Sequence, residues 1–124
     1  MKKYKKLTKY LDGFKRDTFG KWTEAKGKGT EEDPRVFPYF IYDKDVMKFH
    51  DDFYQSKLMD TNYVSKLEMI NEKDIADLTE EELLSKLTAV IRSERFCEGA
   101  INRNLQDGTI QTILNRLKEI DENR

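Results

Sequence analysis

The sequence contains few of the residues from which disulfides and zinc sites are built. Its one cysteine, Cys97, excludes a disulfide within the chain, and its one histidine, His50, leaves no Cys/His cluster for zinc. No apolar run approaches the roughly 18 residues of a membrane span, and no apolar segment follows the first lysines as in a signal peptide. We therefore expect a cytoplasmic protein with no metal, cofactor or membrane partner.

Aromatic residues supply much of the apolar material in this chain. Of 124 residues 37% are hydrophobic and 38% are charged, but seven Phe, six Tyr and one Trp can each bury a large area. This composition predicts a single folded domain over residues 1–124 with a modest core.

The net charge of -1 is unevenly distributed along the chain. Residues 1–28 hold ten Lys/Arg and three Asp/Glu, a balance of +7, which leaves 13 against 21, or -8, for residues 29–124. A basic N-terminus can contact nucleic acid. We favour a solvated helix face docked near the acidic remainder, so nucleic acid is not the expected partner.

Apolar spacing in the first third of the chain predicts one helix followed by irregular structure. A basic amphipathic helix is expected over residues 1–18, with Tyr4, Leu7, Tyr10, Leu11 and Phe14 on its apolar side. A loop carrying Trp22 follows, and the polar, Gly-rich segment 23–34 is expected to be mobile. Residues 36–42 are β-prone, but Pro38 limits them to a short edge strand or an extended segment.

The remaining two thirds of the chain read as a series of helices. Asp43 or Asp45 can cap a helix that carries Phe49 and Phe53, and another helix is expected near residues 64–70. Thr79 and Glu82 form a capping box, and the first turn after it is rich in negative charge, which favours a helix N-terminus. These signals predict the start of the C-terminal helices over residues 79–120. The expected fold is mainly α, a compact bundle of about five or six helices with at most one short extended or β element.

The segment Arg92–Gly99 places four charges in eight residues within the most hydrophobic part of the chain. In an unbroken helix Glu94 and Glu98 would lie on the apolar face and Phe96 on the polar face, which would cost several kcal/mol. Either the helix breaks near Ser93, which caps a new helix and lets Phe96 turn inward, or the carboxylates are buried with arginine partners. We favour the break.

A helix junction at this position can serve as a ligand site or as a structural element. Arginine forks bind carboxylate and phosphate bidentately, which favours an anionic ligand. The alternative is an internal Arg–Glu salt-bridge network that fixes the helix angle, and both interpretations stay open. The candidate ligand-binding residues are Arg92, Arg95, Glu98, Glu94, Phe96, Trp22 and Tyr39, and no catalytic residue is assigned. Gly99, costly within a helix, indicates close approach of another element or a ligand.

Several segments together resemble a family of small bacterial and phage proteins classed as a domain of unknown function. The strongest is Arg-Ser-Glu-Arg-Phe-Cys-Glu-Gly at residues 92–99, with Phe-Gly-Lys-Trp at 19–22 and Pro-Tyr-Phe-Ile-Tyr at 38–42. The resemblance covers residues 19–118. Near Asn62 and Leu67 the family carries further aromatic residues, of which this chain keeps only Tyr63. The resemblance implies a shared fold but no activity.

Three functions follow from these observations. The first is non-enzymatic binding of a small anionic or nucleotide-like ligand at Arg92–Gly99, such as a phage-encoded protein could use to sequester a host defence signal. The second is a protein–protein interaction module in which the junction is only structural. The third is a hydrolase using Glu94 and Glu98 as acid and base, which lacks a nucleophile, metal cluster or phosphate loop. The sequence is compatible with either a monomer or a homodimer.

Overall fold

Residues 2–124 are described by a computed structural model. Over these residues six α-helices and one two-stranded hairpin form, which confirms the mainly helical fold with a single β element. The elements are α1 (Lys5–Thr8), β1 (Gly20–Trp22), β2 (Phe40–Tyr42), α2 (Lys44–Gln55), α3 (Leu67–Asn71), α4 (Glu80–Arg92), α5 (Ala100–Gln106) and α6 (Thr109–Glu122). Short 3₁₀ helices occupy Tyr63–Lys66, Ile75–Asp77 and Ser93–Arg95.

The N-terminal segment is less helical than its sequence indicates. The helix predicted over residues 1–18 is only α1, and the chain then runs through turns to Phe14. These turns contain i→i+3 bonds, such as Leu11 N–H to the Thr8 carbonyl at 3.1 Å. Such turns align residues i and i+3, which is the spacing of Tyr4 with Leu7 and of Leu11 with Phe14, and all four side chains are nevertheless buried.

Local signals place the starts of the later helices. At α4 the Thr79 hydroxyl accepts the Glu82 N–H at 3.2 Å and the Glu82 carboxylate accepts the Thr79 N–H at 3.0 Å, so the capping box is confirmed. Asp43 occupies the N-cap position of α2, but its carboxylate pairs with Arg16 and makes no cap bond. Gly108, with φ 84°, separates α5 from α6.

The core lies between α2, α4, α5, α6 and the N-terminal segment. Aromatic rings fill its N-terminal side, where Phe14 and Phe49 meet edge-to-face with centroids 5.3 Å apart. Aliphatic side chains from the C-terminal helices complete it, among them Leu83, Leu87, Ile91, Ile101, Leu105, Ile110, Ile113, Leu114 and Leu117. No helix within residues 2–124 is long and apolar enough to cross a membrane.

The hairpin joins two segments for which the sequence predicts different structures, a loop for the first and a short extended segment for the second. Trp22 was expected on a loop, but Gly20–Trp22 forms β1 and pairs antiparallel with Phe40–Tyr42. Pairing resumes further out at a Lys26–Val36 bridge, beyond the interruption that Pro38 imposes because it has no N–H. We call residues 19–43, the hairpin with its connecting loop, the arm.

Candidate functional site

The helix junction forms where the charge pattern predicts it. Helix α4 ends at Arg92, a 3₁₀ turn covers Ser93–Arg95, and α5 begins at Ala100 after Gly99 in the left-handed conformation. The predicted break near Ser93 is therefore correct. The predicted cap is wrong, because the Ser93 hydroxyl donates back to the Val90 carbonyl and Gly99 occupies the N-cap position of α5.

Glu94 satisfies backbone groups at the start of α5. Its carboxylate accepts the N–H of Gly99 at 2.7 Å and the N–H of Ile101 at 2.9 Å. It also accepts the Tyr42 hydroxyl, whose oxygen in turn accepts the N–H of Asn102 at 3.0 Å. The first amides of a helix have no partner within it, so a half-buried carboxylate is compensated here by donors rather than by a cation.

Tyr42 connects the arm to this carboxylate. Burial raises the pKa of the Tyr42 phenol above its ordinary value, and the hydrogen bond to Glu94 raises it further. The hydroxyl therefore stays protonated across the physiological range and remains a donor to Glu94. The sequence did not single out Tyr42, although alternation along residues 40–42 puts Phe40 and Tyr42 on one side of the strand.

Two further contacts dock the arm on the junction. The Glu98 carboxylate accepts the N–H of Phe40 at 3.2 Å, at the outer edge of β2. The Trp22 ring packs on Gly99, where a Cβ would lie 2.8 Å from the ring, and meets Phe40 edge-to-face at 5.5 Å. The close approach of another element to Gly99 is thus confirmed, and Glu94, Glu98 and Gly99 all hold the arm.

The arginines of the junction do not pair with these carboxylates. The Arg92 guanidinium lies over the Tyr63 ring at 5.6 Å, and that of Arg95 lies over the Tyr54 ring at 5.6 Å. Neither arginine belongs to an ion pair within residues 2–124. The expected internal Arg–Glu network is therefore not formed in the described part of the chain.

Phe96 points outward, contrary to the expectation that the break would turn it inward. It is 85% exposed, and the neighbouring Arg95 and Cys97 are exposed as well. The buried positions around the turn are taken by Gly99, Ala100 and Ile101, and the Glu94 carboxylate accepts the N–H groups of the first and last of these. Arg103 Nη2 lies 2.9 Å from the Cys97 sulfur.

The seven predicted site residues do not converge on one cavity. A cleft of about 230 Å³ lies beside the junction, but Glu94 is the one predicted residue that lines it, along with Tyr42, Val46, Met47, His50, Asp51 and Ile101. Tyr39 and Trp22 lie on opposite faces of the hairpin, since Trp22 pairs with Phe40 and adjacent strand residues alternate. Sequence reasoning missed His50 as a cleft residue, because it sits beside an apolar stripe like an ordinary boundary histidine.

Large apolar side chains are exposed mainly on the arm. Trp22, Val36, Phe37, Tyr39 and Ile41 all belong to it, whereas Met47, Val64, Met69 and Phe96 make up the other exposed large apolar residues in the part of the chain described. Phe96 lies in the turn that leads to Gly99, on which Trp22 packs. The arm and the adjoining turn therefore carry six of these nine residues.

These features define a class of small, mainly helical domain that presents a β-hairpin arm clamped to a helix junction. The chain belongs to a family of unknown function (DUF6508), whose model matches residues 1–123. The resemblance inferred from the motifs is confirmed at that level. No curated protein and no solved structure matches the chain.

Proposed function

We propose that this protein is a binding module that recognises a polypeptide partner through the arm. The observation that carries the proposal is the concentration of exposed aromatic and aliphatic side chains on residues 22–41. Soluble proteins seldom expose apolar side chains in groups, and grouped exposure is typical of interaction surfaces. Aromatic residues also dominate the binding energy of protein interfaces.

The way the arm is held supports the same proposal. Glu94 through Tyr42, Glu98 through Phe40 and Gly99 through Trp22 fix the base of the hairpin to the junction. An arm fixed in this way loses little conformational freedom on binding, so contacts made by its exposed side chains add directly to affinity.

Peptide selection tests this proposal with matched variants. A random peptide library displayed on phage is selected against the immobilised protein, and the enriched peptides are measured by fluorescence polarisation. Phe37→Ser with Tyr39→Ser removes side chains that are 73% and 49% exposed. Val64→Ser with Met69→Ser removes side chains that are 66% and 49% exposed, away from the arm.

We expect the arm variant to bind the enriched peptides at least about tenfold more weakly, since one interface aromatic is worth about 1–2 kcal/mol or more. The Val64 and Met69 variant should bind within about twofold of the wild type. Failure to enrich any peptide, or equal weakening in both variants, would overturn the proposal.

A small anionic or nucleotide-like ligand at the junction is the second candidate function. It is supported by the guanidinium groups of Arg92 and Arg95, which have tyrosine rings rather than carboxylates as neighbours. Such groups can accept phosphate bidentately, and sequestration of a signalling nucleotide by a phage-encoded protein fits this chemistry. A hydrolytic role has less support, because the Glu94 and Glu98 carboxylates already accept backbone N–H groups.

Thermal shift with a panel of mono-, di- and cyclic nucleotides tests the second candidate. A bound nucleotide should raise Tm by stabilising the folded state. Arg95→Ala should abolish that rise while Arg35→Ala, at an exposed arginine of the arm, preserves it. An unchanged Tm with every nucleotide at millimolar concentration rules this candidate out.

A further inference from the structure

We infer that the outer edge of β1 accepts an extended segment of the partner as a third strand of the hairpin. The inference rests on the proposed function and specifies how the polypeptide is held. In strand addition the main-chain groups of an open edge supply hydrogen bonds, and alternate side chains supply selectivity.

The hydrogen-bond pattern of the hairpin shows which main-chain groups point outward. Asp43 N–H bonds to the Phe19 carbonyl at 2.9 Å and Thr23 N–H to the Tyr39 carbonyl at 2.8 Å. Hydrogen-bonded pairs recur every second residue in an antiparallel ladder, so Lys21 also bonds across to Ile41. The N–H and C=O groups of Gly20 and Trp22 therefore face away from β2.

The two edges of the hairpin differ in what covers them. At β2 the outward N–H of Phe40 is taken by the Glu98 carboxylate. At β1 no backbone group elsewhere in residues 2–124 pairs with Gly20 or Trp22, and Lys21 and Trp22 are exposed. Four main-chain groups thus form an open edge beside the exposed aromatic side chains of the arm.

Charge disfavours a second copy of β1 as the occupant of this edge. Two copies that used all four outward groups would pair Gly20 with Trp22 of the other copy, which sets Lys21 directly opposite Lys21. Like charges at opposed positions destabilise a ladder, and Lys21 has no ion-pair partner in the described chain that could offset the repulsion. The occupant is therefore a different polypeptide with an acidic residue opposite Lys21.

Side chains around the edge define the rest of the partner's pattern. The residues on either side of the acidic one point to the face that carries Trp22, whose half-exposed ring offers an apolar contact. At Gly20 a Cβ would lie 2.6 Å from the Phe40 ring, so the surface at this position is apolar as well. The segment recognised is thus an extended one in which an acidic residue lies between two apolar residues.

Amide hydrogen exchange followed by NMR tests the open edge in the free protein. The amides of Gly20 and Trp22 should exchange at least about tenfold faster than those of Lys21 and Thr23, which bond across the hairpin to Ile41 and Tyr39. Equal protection of all four amides would overturn the inference, since the edge would then be closed.

The same measurement with the phage-selected peptides tests strand addition itself. A saturating peptide should slow exchange at Gly20 and Trp22 at least about tenfold. Methylation of the peptide's backbone nitrogens, one residue at a time, should abolish binding at every second residue. Methylation of the residues between them should leave binding intact. Lys21→Glu should weaken binding about tenfold, while Lys28→Glu, at the tip of the arm, should leave it within about twofold.

The outcomes separate this inference from the proposed function. Peptides that bind the arm without protecting Gly20 and Trp22, or whose N-methylation shows no alternation, overturn strand addition and leave the polypeptide-binding function standing. A concentration-dependent dimer in which these two amides become protected overturns the choice of occupant. If no peptide binds, the proposed function and this inference fail together.

Discussion

Replacement of Glu94 by glutamine tests the assignment of this side chain as an anchor. The carboxylate accepts the amides of Gly99 and Ile101 and the hydroxyl of Tyr42. Glutamine has nearly the same shape but only one acceptor oxygen. In either amide orientation its NH₂ group must face at least one donor that the carboxylate now accepts.

The cost of this change follows from the bonds lost. Hydrogen bonds to a charged group are worth about 1.5–3 kcal/mol, and a donor left unsatisfied costs about 1–3 kcal/mol. We expect Glu94→Gln to lower the free energy of unfolding by about 2–3 kcal/mol. For a chain of this size that corresponds to a fall in Tm of about 6–15 °C.

Urea unfolding followed by circular dichroism measures this effect, and Glu31→Gln in the exposed loop of the arm is the control. Tyr42→Phe should cost about 1–3 kcal/mol by leaving the Asn102 amide without an acceptor. The double variant should show a coupling energy of at least about 0.5 kcal/mol. A loss below about 0.5 kcal/mol for Glu94→Gln, equal to the control, would refute the anchor.

Three further predictions concern stability. Thr79→Ala, which removes half of the capping box, should cost about 1 kcal/mol in urea unfolding, and an unchanged midpoint would contradict it. Hydrogen bonds lower the pKa of Asp60 to about 2. The ionised side chain therefore stabilises the fold by about 1–2 kcal/mol above about pH 4, and this contribution is lost as the pH falls through 2. Asp60→Asn should remove that part of the acid dependence of stability, and an unchanged pH profile would contradict the prediction. Gly99→Ala should destabilise more than Gly29→Ala, because both glycines have φ 83° but only the first meets Trp22. It should also red-shift the fluorescence of Trp22, the sole tryptophan, whereas equal losses and an unshifted spectrum would contradict the contact.

The helices were predictable because their signals are local. Apolar spacing identified the faces of α2, α4 and α6, and the box at Thr79 and Glu82 located the start of α4. The same spacing predicted too long a first helix, because i→i+3 turns also bring residues three apart, such as Leu11 and Phe14, to one side. Periodicity reports which face is buried better than it reports the backbone conformation.

The arm could not be predicted from its residues. Gly20–Trp22 is three residues long, too short for alternation to be visible, and its pairing with Phe40–Tyr42 spans the 17 residues of the connecting segment 23–39. Such pairing depends on contacts distant in sequence, which local propensity does not encode. For residues 36–42, by contrast, Pro38 correctly indicated that any strand would be short.

The junction shows what helical periodicity can predict and what it cannot. Periodicity located the conflict at Glu94 and the break that resolves it, because helical geometry alone makes a carboxylate on the apolar face costly. Periodicity could not identify the groups that compensate the carboxylate. Nearly every residue has a backbone amide, so the sequence does not show which amides will bind it, and Tyr42 lies 52 positions away. Arginine neighbours suggested ion pairs, but Arg92 and Arg95 lie over tyrosine rings.

A chemical-shift map of an enriched peptide bound to the ¹⁵N-labelled protein tests the central claim most directly. If the arm is the binding surface and the junction its support, the largest perturbations should fall on residues 20–23 and 36–41. Perturbations centred instead on the cleft residues Met47, His50 and Ile101, or on Arg92 and Arg95, would contradict the account.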